Sequence, residues 1–190
     1  MSEQLNLLDP VRTTDRLFFA LFPDPDTAGQ IAALAAQLRD RHGLTGRPLS
    51  PERFHITLAH LGDYAGLPAD LVAKARQAGD RVSSPSFRPH FDRVGSFSGR
   101  SGNRPFVLQS SESETPVTAF QRVLAQAMMG TGLGRKAGPY LPHVTLLYDD
   151  AMIATHPVAP IAWTAGEFVL VHSLLGQTKH VILDRWPLGS

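Results

Sequence analysis

Residues 53–62 read RFHITLAHLG, and residues 141–150 read LPHVTLLYDD. Both place a histidine two residues before a threonine inside an apolar run. In a β-strand, residues i and i+2 project from the same face. His55 and Thr57 therefore point together while Ile56 and Leu58 point away, and His143 and Thr145 do the same against Val144 and Leu146. One such strand alone reads as a packed structural histidine. Chance yields roughly half a copy of His-x-Thr in a chain of this composition, so the recurrence, each time with apolar residues behind it, carries the meaning.

The flanks of the two motifs also correspond: each follows a helical segment and a Pro-containing loop (LSPERFHIT, PYLPHVT). Before the first motif, RLFFALF (residues 16–22) reads as a buried strand ending at PDPD. A helix with Ile31, Leu34, Ala35 and Leu38 on one face follows, capped by Asp26 or Thr27 and stopped by Gly43. A second helix opens at Pro68 and Asp70, and a third at Thr115 and Pro116. Between them, SFRPHFDRVGSFSG and RPFVLQSS read as two strands, and the tail reads as a hairpin turning at Gly176. The expected order is β-α-β-α-β-β-α-β-β-β. It implies an α+β fold of two related antiparallel sheets with helices on the outside. Residues 1–13 are expected to form a flexible leader, and residues 14–190 a single bilobal domain.

Composition narrows the function. With a formal net charge of +1, the chain has no bulk electrostatic grip on long nucleic acid, although a local basic pocket is compatible with it. No cysteine is present, so thiol catalysis, thiolate metal sites and disulfides are excluded. No apolar run approaches the ~20 residues of a membrane span, and the N-terminus lacks a secretory core. A metal site is not expected either. No third ligand has suitable spacing beside either motif, and His60, five residues from His55, falls on the opposite face of a regular strand. GTGLGR and GSFSG each miss, at one position, the glycine-rich and nucleophile-elbow motifs they approach.

Two imidazoles flanked by two hydroxyls suit phosphodiester chemistry without a metal. A neutral imidazole can take a proton from attacking water while a protonated one delivers a proton to the leaving oxygen. The histidine pKa, ~6.5, fits both tasks near neutrality. Threonine hydroxyls can bind the non-bridging oxygens, where charge accumulates. Further candidates for substrate contact are Tyr148 and Phe19, as surfaces for a base, and Arg135 and Lys136 in the loop feeding the second motif. The competing reading of Phe19 is a core residue. Arg53, Arg100 and Arg104 are further cations that can meet phosphate, and His172 and His180 lie in the terminal hairpin.

Paired His-apolar-Thr-apolar motifs on strands of two lobes resemble the signature of the 2H phosphoesterase superfamily. The chain is most similar to its RNA 2′,3′-cyclic phosphodiesterase branch, the 2′-5′ RNA ligase-like family. RLFFALFPDP resembles the family's opening strand, FHITLAHLGD and PHVTLLYDD its two motifs, and VLVHSLLGQTKHVILDRWPL its closing hairpin. The resemblance runs from about Arg16 to Leu188. It implies a bilobal fold with a central cleft between the lobes. There a 2′,3′-cyclic phosphate would be opened to a 2′-phosphate, with His55 as acid, His143 as base, and Thr57 and Thr145 holding the phosphate. It implies no metal and no organic cofactor. The implied partner is an RNA 3′ end or a small cyclic nucleotide. A cytoplasmic monomer with no membrane partner is expected, and no protein partner is inferable. The sequence departs from the family at Tyr148, where many members carry arginine, and at His60, where an aromatic residue is common. A 2′-5′ phosphodiesterase or RNA ligase, and an RNA-end-binding module with little catalysis, stay open as alternatives.

Overall fold

A computed structural model describes residues 13–99, 103–134 and 140–189. The expected leader thus lies outside the described residues, except for Thr13. Eight strands form one antiparallel order, β6-β3-β4-β5-β2-β1-β7-β8. They are β1 (Asp15–Leu21), β2 (Ile56–Tyr64), β3 (His90–Ser96), β4 (Arg104–Gln109), β5 (His143–Asp149), β6 (His156–Ala162), β7 (Glu167–Leu174) and β8 (Lys179–Pro187). Four strands lie on each side of the β5–β2 junction, and that junction is a single residue pair, Ile56 with Val144. The two expected sheets are therefore two halves joined at one point.

Three helices, α1 (Pro25–His42), α2 (Ala69–Asp80) and α3 (Pro116–Met129), cover one face. Local chemistry sets their ends. Asp24, rather than Asp26 or Thr27, caps α1, because its carboxylate accepts the Thr27 amide at 2.9 Å with Pro25 in the first turn. Gly43 ends that helix in the left-handed region, φ 62°. Thr115 and Thr118 form a reciprocal capping box on α3. The helices cross between halves: α1 follows β1 yet packs on β5 and β6, whereas α3, which precedes β5, packs on β2. These crossings bury apolar surface across a junction where β2 and β5 pair at one position among the described residues, and burial contributes ~25 cal/mol per Å².

β6 was not expected from the sequence. Its segment HPVAPIA carries Pro157 and Pro160, which argue against a strand. It pairs only with β3, at the edge of the sheet, where an absent backbone donor can face outward.

On β1 the two faces separate cleanly. Leu17, Phe19 and Leu21 join the main core under the helices, while Phe18 and Ala20 join a smaller cluster with Val169, Val171, Phe22 and Ile182 on the open face. Phe19 is 0% exposed and packs on Phe168 and Trp186, with ring centroids 6.1 and 5.8 Å away. It is a core residue and not a surface for substrate, which corrects one of the sequence-based candidates. RLFFALF is apolar on both faces, so its pattern does not reveal which aromatic faces which way.

Candidate active site

The open face carries a cleft of about 510 Å³ whose lining includes His55, Thr57, His143, Thr145 and Tyr148. The two motifs thus converge as their spacing implies. The Ile56–Val144 pair explains how. Counting one residue outward along these antiparallel strands sets His55 abreast of Thr145 and Thr57 abreast of His143. Arg135 and Lys136 lie outside the described residues. Arg53 lines the cleft, whereas Arg104 donates to the Asp150 carbonyl instead.

Each imidazole is oriented by the backbone. His55 Nδ1 lies 2.7 Å from the Arg53 carbonyl oxygen and His143 Nδ1 2.8 Å from that of Leu141. A carbonyl only accepts, so both Nδ1 atoms carry hydrogen and both Nε2 atoms are left for chemistry. Aromatic rings wall in the imidazoles. Phe18 and Phe22 lie 5.1 and 5.6 Å from His55, and Phe97 stands edge-on 4.9 Å from His143. Burial pushes the His55 pKa down to about 4, opposed by the bond to Arg53, with the positive potential of His180 and His143 adding to the depression. Burial also lowers His143, opposed by the Leu141 carbonyl. Both rings are thus neutral in the free protein near pH 7. Among the described residues neither Thr57 nor Thr145 spends its hydroxyl on a protein partner.

Beyond each threonine, a β-bulge redirects the strand. Ala20 pairs with Thr57 and Phe19 with Ala59, so Leu58 is passed over; Val107 pairs with Thr145 and Phe106 with Leu147, so Leu146 is passed over. An extra residue reverses the alternation that follows. His60 and Tyr148, each five residues past its motif histidine, consequently turn into the cleft. For His60 this overturns the expectation from a regular strand. Tyr148 is 42% exposed there.

Nothing in the sequence pattern pointed to Arg16. From β1 it enters the cleft wall and grips Asp63 through Nε and Nη2, both at 2.7 Å. His60 Nε2 lies 2.9 Å from the same carboxylate. The Arg16 bond holds Asp63 far below the usual carboxylate range. In turn Asp63, with Tyr148 as a weaker electrostatic neighbour, keeps Arg16 charged. A guanidinium thus stands in the cleft near Tyr148, delivered by another strand.

The loop before the first motif is pinned to the second. Asp149 accepts the Thr45 and Gly46 amides at 2.8 and 2.7 Å, and the Leu49 amide donates to the Leu146 carbonyl at 2.8 Å. A Cβ on Gly46 would sit 2.0 Å from the Tyr148 carbonyl oxygen, so only glycine allows this approach. The Tyr140 hydroxyl, just upstream of the second motif, donates to the Thr57 carbonyl at 3.0 Å. Among the described residues no group of three or more His, Cys, Asp or Glu is placed to hold a metal ion, and no helix is long and apolar enough to cross a membrane.

Comparison with known proteins places this geometry. A family model described as the 2′-5′ RNA ligase superfamily matches residues 20–177. The RNA 2′,3′-cyclic phosphodiesterase of Escherichia coli (strain K12) is 27% identical over 179 residues, covering 91% of this chain and 96% of that protein. The crystal structure of E. coli LigT in apo form superposes with a TM-score of 0.73 at 26% identity, covering 94% of this chain and all of that one. LigT complexed with 3′-AMP gives 0.72 at 26% identity, over 93% and 99% of the two chains.

Proposed function

Because the chain belongs to the 2′-5′ RNA ligase superfamily, we propose that it hydrolyses the 2′,3′-cyclic phosphate of an RNA end or nucleotide to a 2′-phosphomonoester, using two histidines and no metal. One observation carries this reading: both motif imidazoles have Nδ1 fixed on a backbone carbonyl and present Nε2 to one cleft with two unspent threonine hydroxyls. The names of the E. coli relatives, a cyclic phosphodiesterase and a protein complexed with 3′-AMP, support the substrate class.

In the proposed reaction, water attacks phosphorus in line with the 3′ oxygen. His143 Nε2 takes the water proton as the new P–O bond forms. The P–O3′ bond breaks, and the Nε2–H of protonated His55 gives its proton to O3′. The products are a 2′-phosphate and a 3′-hydroxyl, and solvent resets the two imidazoles. His55 takes the acid role on the family resemblance; burial opposes its protonation, and the charge of the bound phosphate favours its imidazolium. Thr57 and Thr145 hold the non-bridging oxygens as charge builds. A 5′-hydroxyl in place of water would give a 2′-5′ linkage, the second reading, which the family description favours.

The experiment is incubation of chelator-treated protein with a nucleoside 2′,3′-cyclic phosphate, followed by identification of the product isomer. A 2′-phosphate is expected. A 3′-phosphate overturns the leaving-group assignment, and no turnover with retained binding supports an RNA-end-binding module instead.

A further inference from the structure

A second cavity, of about 670 Å³, opens beside the cleft and shares Arg53, Thr178 and His180 with it as a common wall. Both volumes fall in the range of ligand sites. The floor of the second cavity is apolar, formed by Phe22, Val169 and Ile182 from the small cluster on the open face. It begins next to the reacting groups, since the His180 and Phe22 rings lie 5.2 and 5.6 Å from the His55 ring.

Its rim is charged, and the acids there are already engaged. Asp24 caps α1, Glu167 pairs with Arg185, and Glu52 accepts from Ser50. Lys179 pairs with no carboxylate among the described residues. In the shared wall, Arg53 Nε and His180 Nδ1 are buried without a partner. Unsatisfied buried nitrogens are costly, and these two belong to side chains of the wall that both cavities share. An aromatic face on an apolar floor, the Lys179 ammonium and the Arg53 side chain at the junction together match one nucleotide: the base on Phe22, the phosphate toward Lys179 and Arg53.

We propose that this cavity is a second nucleotide subsite, which takes the residue 5′ to the one bearing the cyclic phosphate. The preferred substrate is then an oligonucleotide end of at least two nucleotides. This rests on the reaction proposed for the adjoining cleft.

The test compares kcat/KM for a dinucleotide and a mononucleotide 2′,3′-cyclic phosphate. The corresponding 3′-phosphates are titrated in parallel by calorimetry, so that the subsite is read without turnover. Wild type is expected to favour the dinucleotide by about tenfold in both readouts, the scale of one stacked base. Lys179→Glu reverses the rim charge. Gly166→Trp adds bulk at a lining position where a Cβ meets no heavy atom within 4 Å, so it fills the cavity and not the protein. Both variants should collapse the preference to within about threefold and leave mononucleotide turnover unchanged. Equal treatment of the two ligands by wild type, or an undiminished preference in both variants, overturns the subsite. Tighter dinucleotide binding with no turnover of either substrate keeps the subsite and sinks the catalytic reading.

Discussion

Ile56 and Val144 face each other as the single backbone pair joining the two halves of the sheet among the described residues, and each lies between the histidine and threonine of its own motif. The junction of the fold is thereby also the centre of the candidate site. Any shift of one half against the other moves both imidazoles relative to both hydroxyls, which makes the crossing helices part of how the cleft is kept in register.

If the two histidines act as proposed, His55→Ala and His143→Ala should each lower kcat by about 10²–10⁴-fold, the scale of one general acid or base. Each should keep wild-type circular dichroism. Near wild-type turnover by either variant would falsify the two-histidine mechanism.

The pH dependence follows from burial. Both imidazoles have pKa values below 6.5 in the free protein, His55 at about 4. The productive state needs one charged and one neutral ring. It is therefore most populated in the free protein on the acid side of pH 6.5, and its population falls about tenfold per unit above both pKa values. The kcat/KM profile should be bell-shaped with its optimum below 6.5. A bound phosphate anion favours the imidazolium, so the kcat optimum should lie at higher pH. An optimum of kcat/KM above pH 7.5 would contradict this account.

Arg16→Met should raise KM for a cyclic phosphate by about tenfold, consistent with loss of a charge-assisted contact. Part of that loss comes from Asp63, left with His60 as its remaining partner beside an incoming anion. Arg16→Met combined with Asp63→Asn should recover a few-fold of it, as steady-state kinetics will reveal. A double variant no better than the single would show that the carboxylate is not felt at the site.

Phe19→Ala should destabilise the protein by about 3–5 kcal/mol, as expected for emptying a fully buried aromatic position, and lower the Tm by roughly 10 °C. Its KM below the new melting transition should be unchanged. A specific rise in KM without loss of stability would restore Phe19 to the substrate surface.

The elements legible in the sequence were those governed by neighbours along the chain. Pro116 after Thr115 announced the start of α3, and Gly43 the end of α1, because capping uses groups within a turn. His55 with Thr57 and His143 with Thr145 were legible because same-face projection needs only a spacing of two. β6 was not, since tolerance of its prolines depends on an edge position that other strands define.

The sequence by itself determined the candidate reacting groups, their pairing on two strands, and the family to which those strands belong. Only the tertiary structure decided what surrounds them. Bulges at Leu58 and Leu146 arise from pairing with β1 and β4, and they alone turn His60 and Tyr148 into the cleft. Arg16 and Phe18 reach the site from a strand whose two apolar faces look alike until helices cover one of them. The physical reason is the same in each case: which way a strand residue points is fixed by its partner strand and the layer packed on it, and neither is local in the chain.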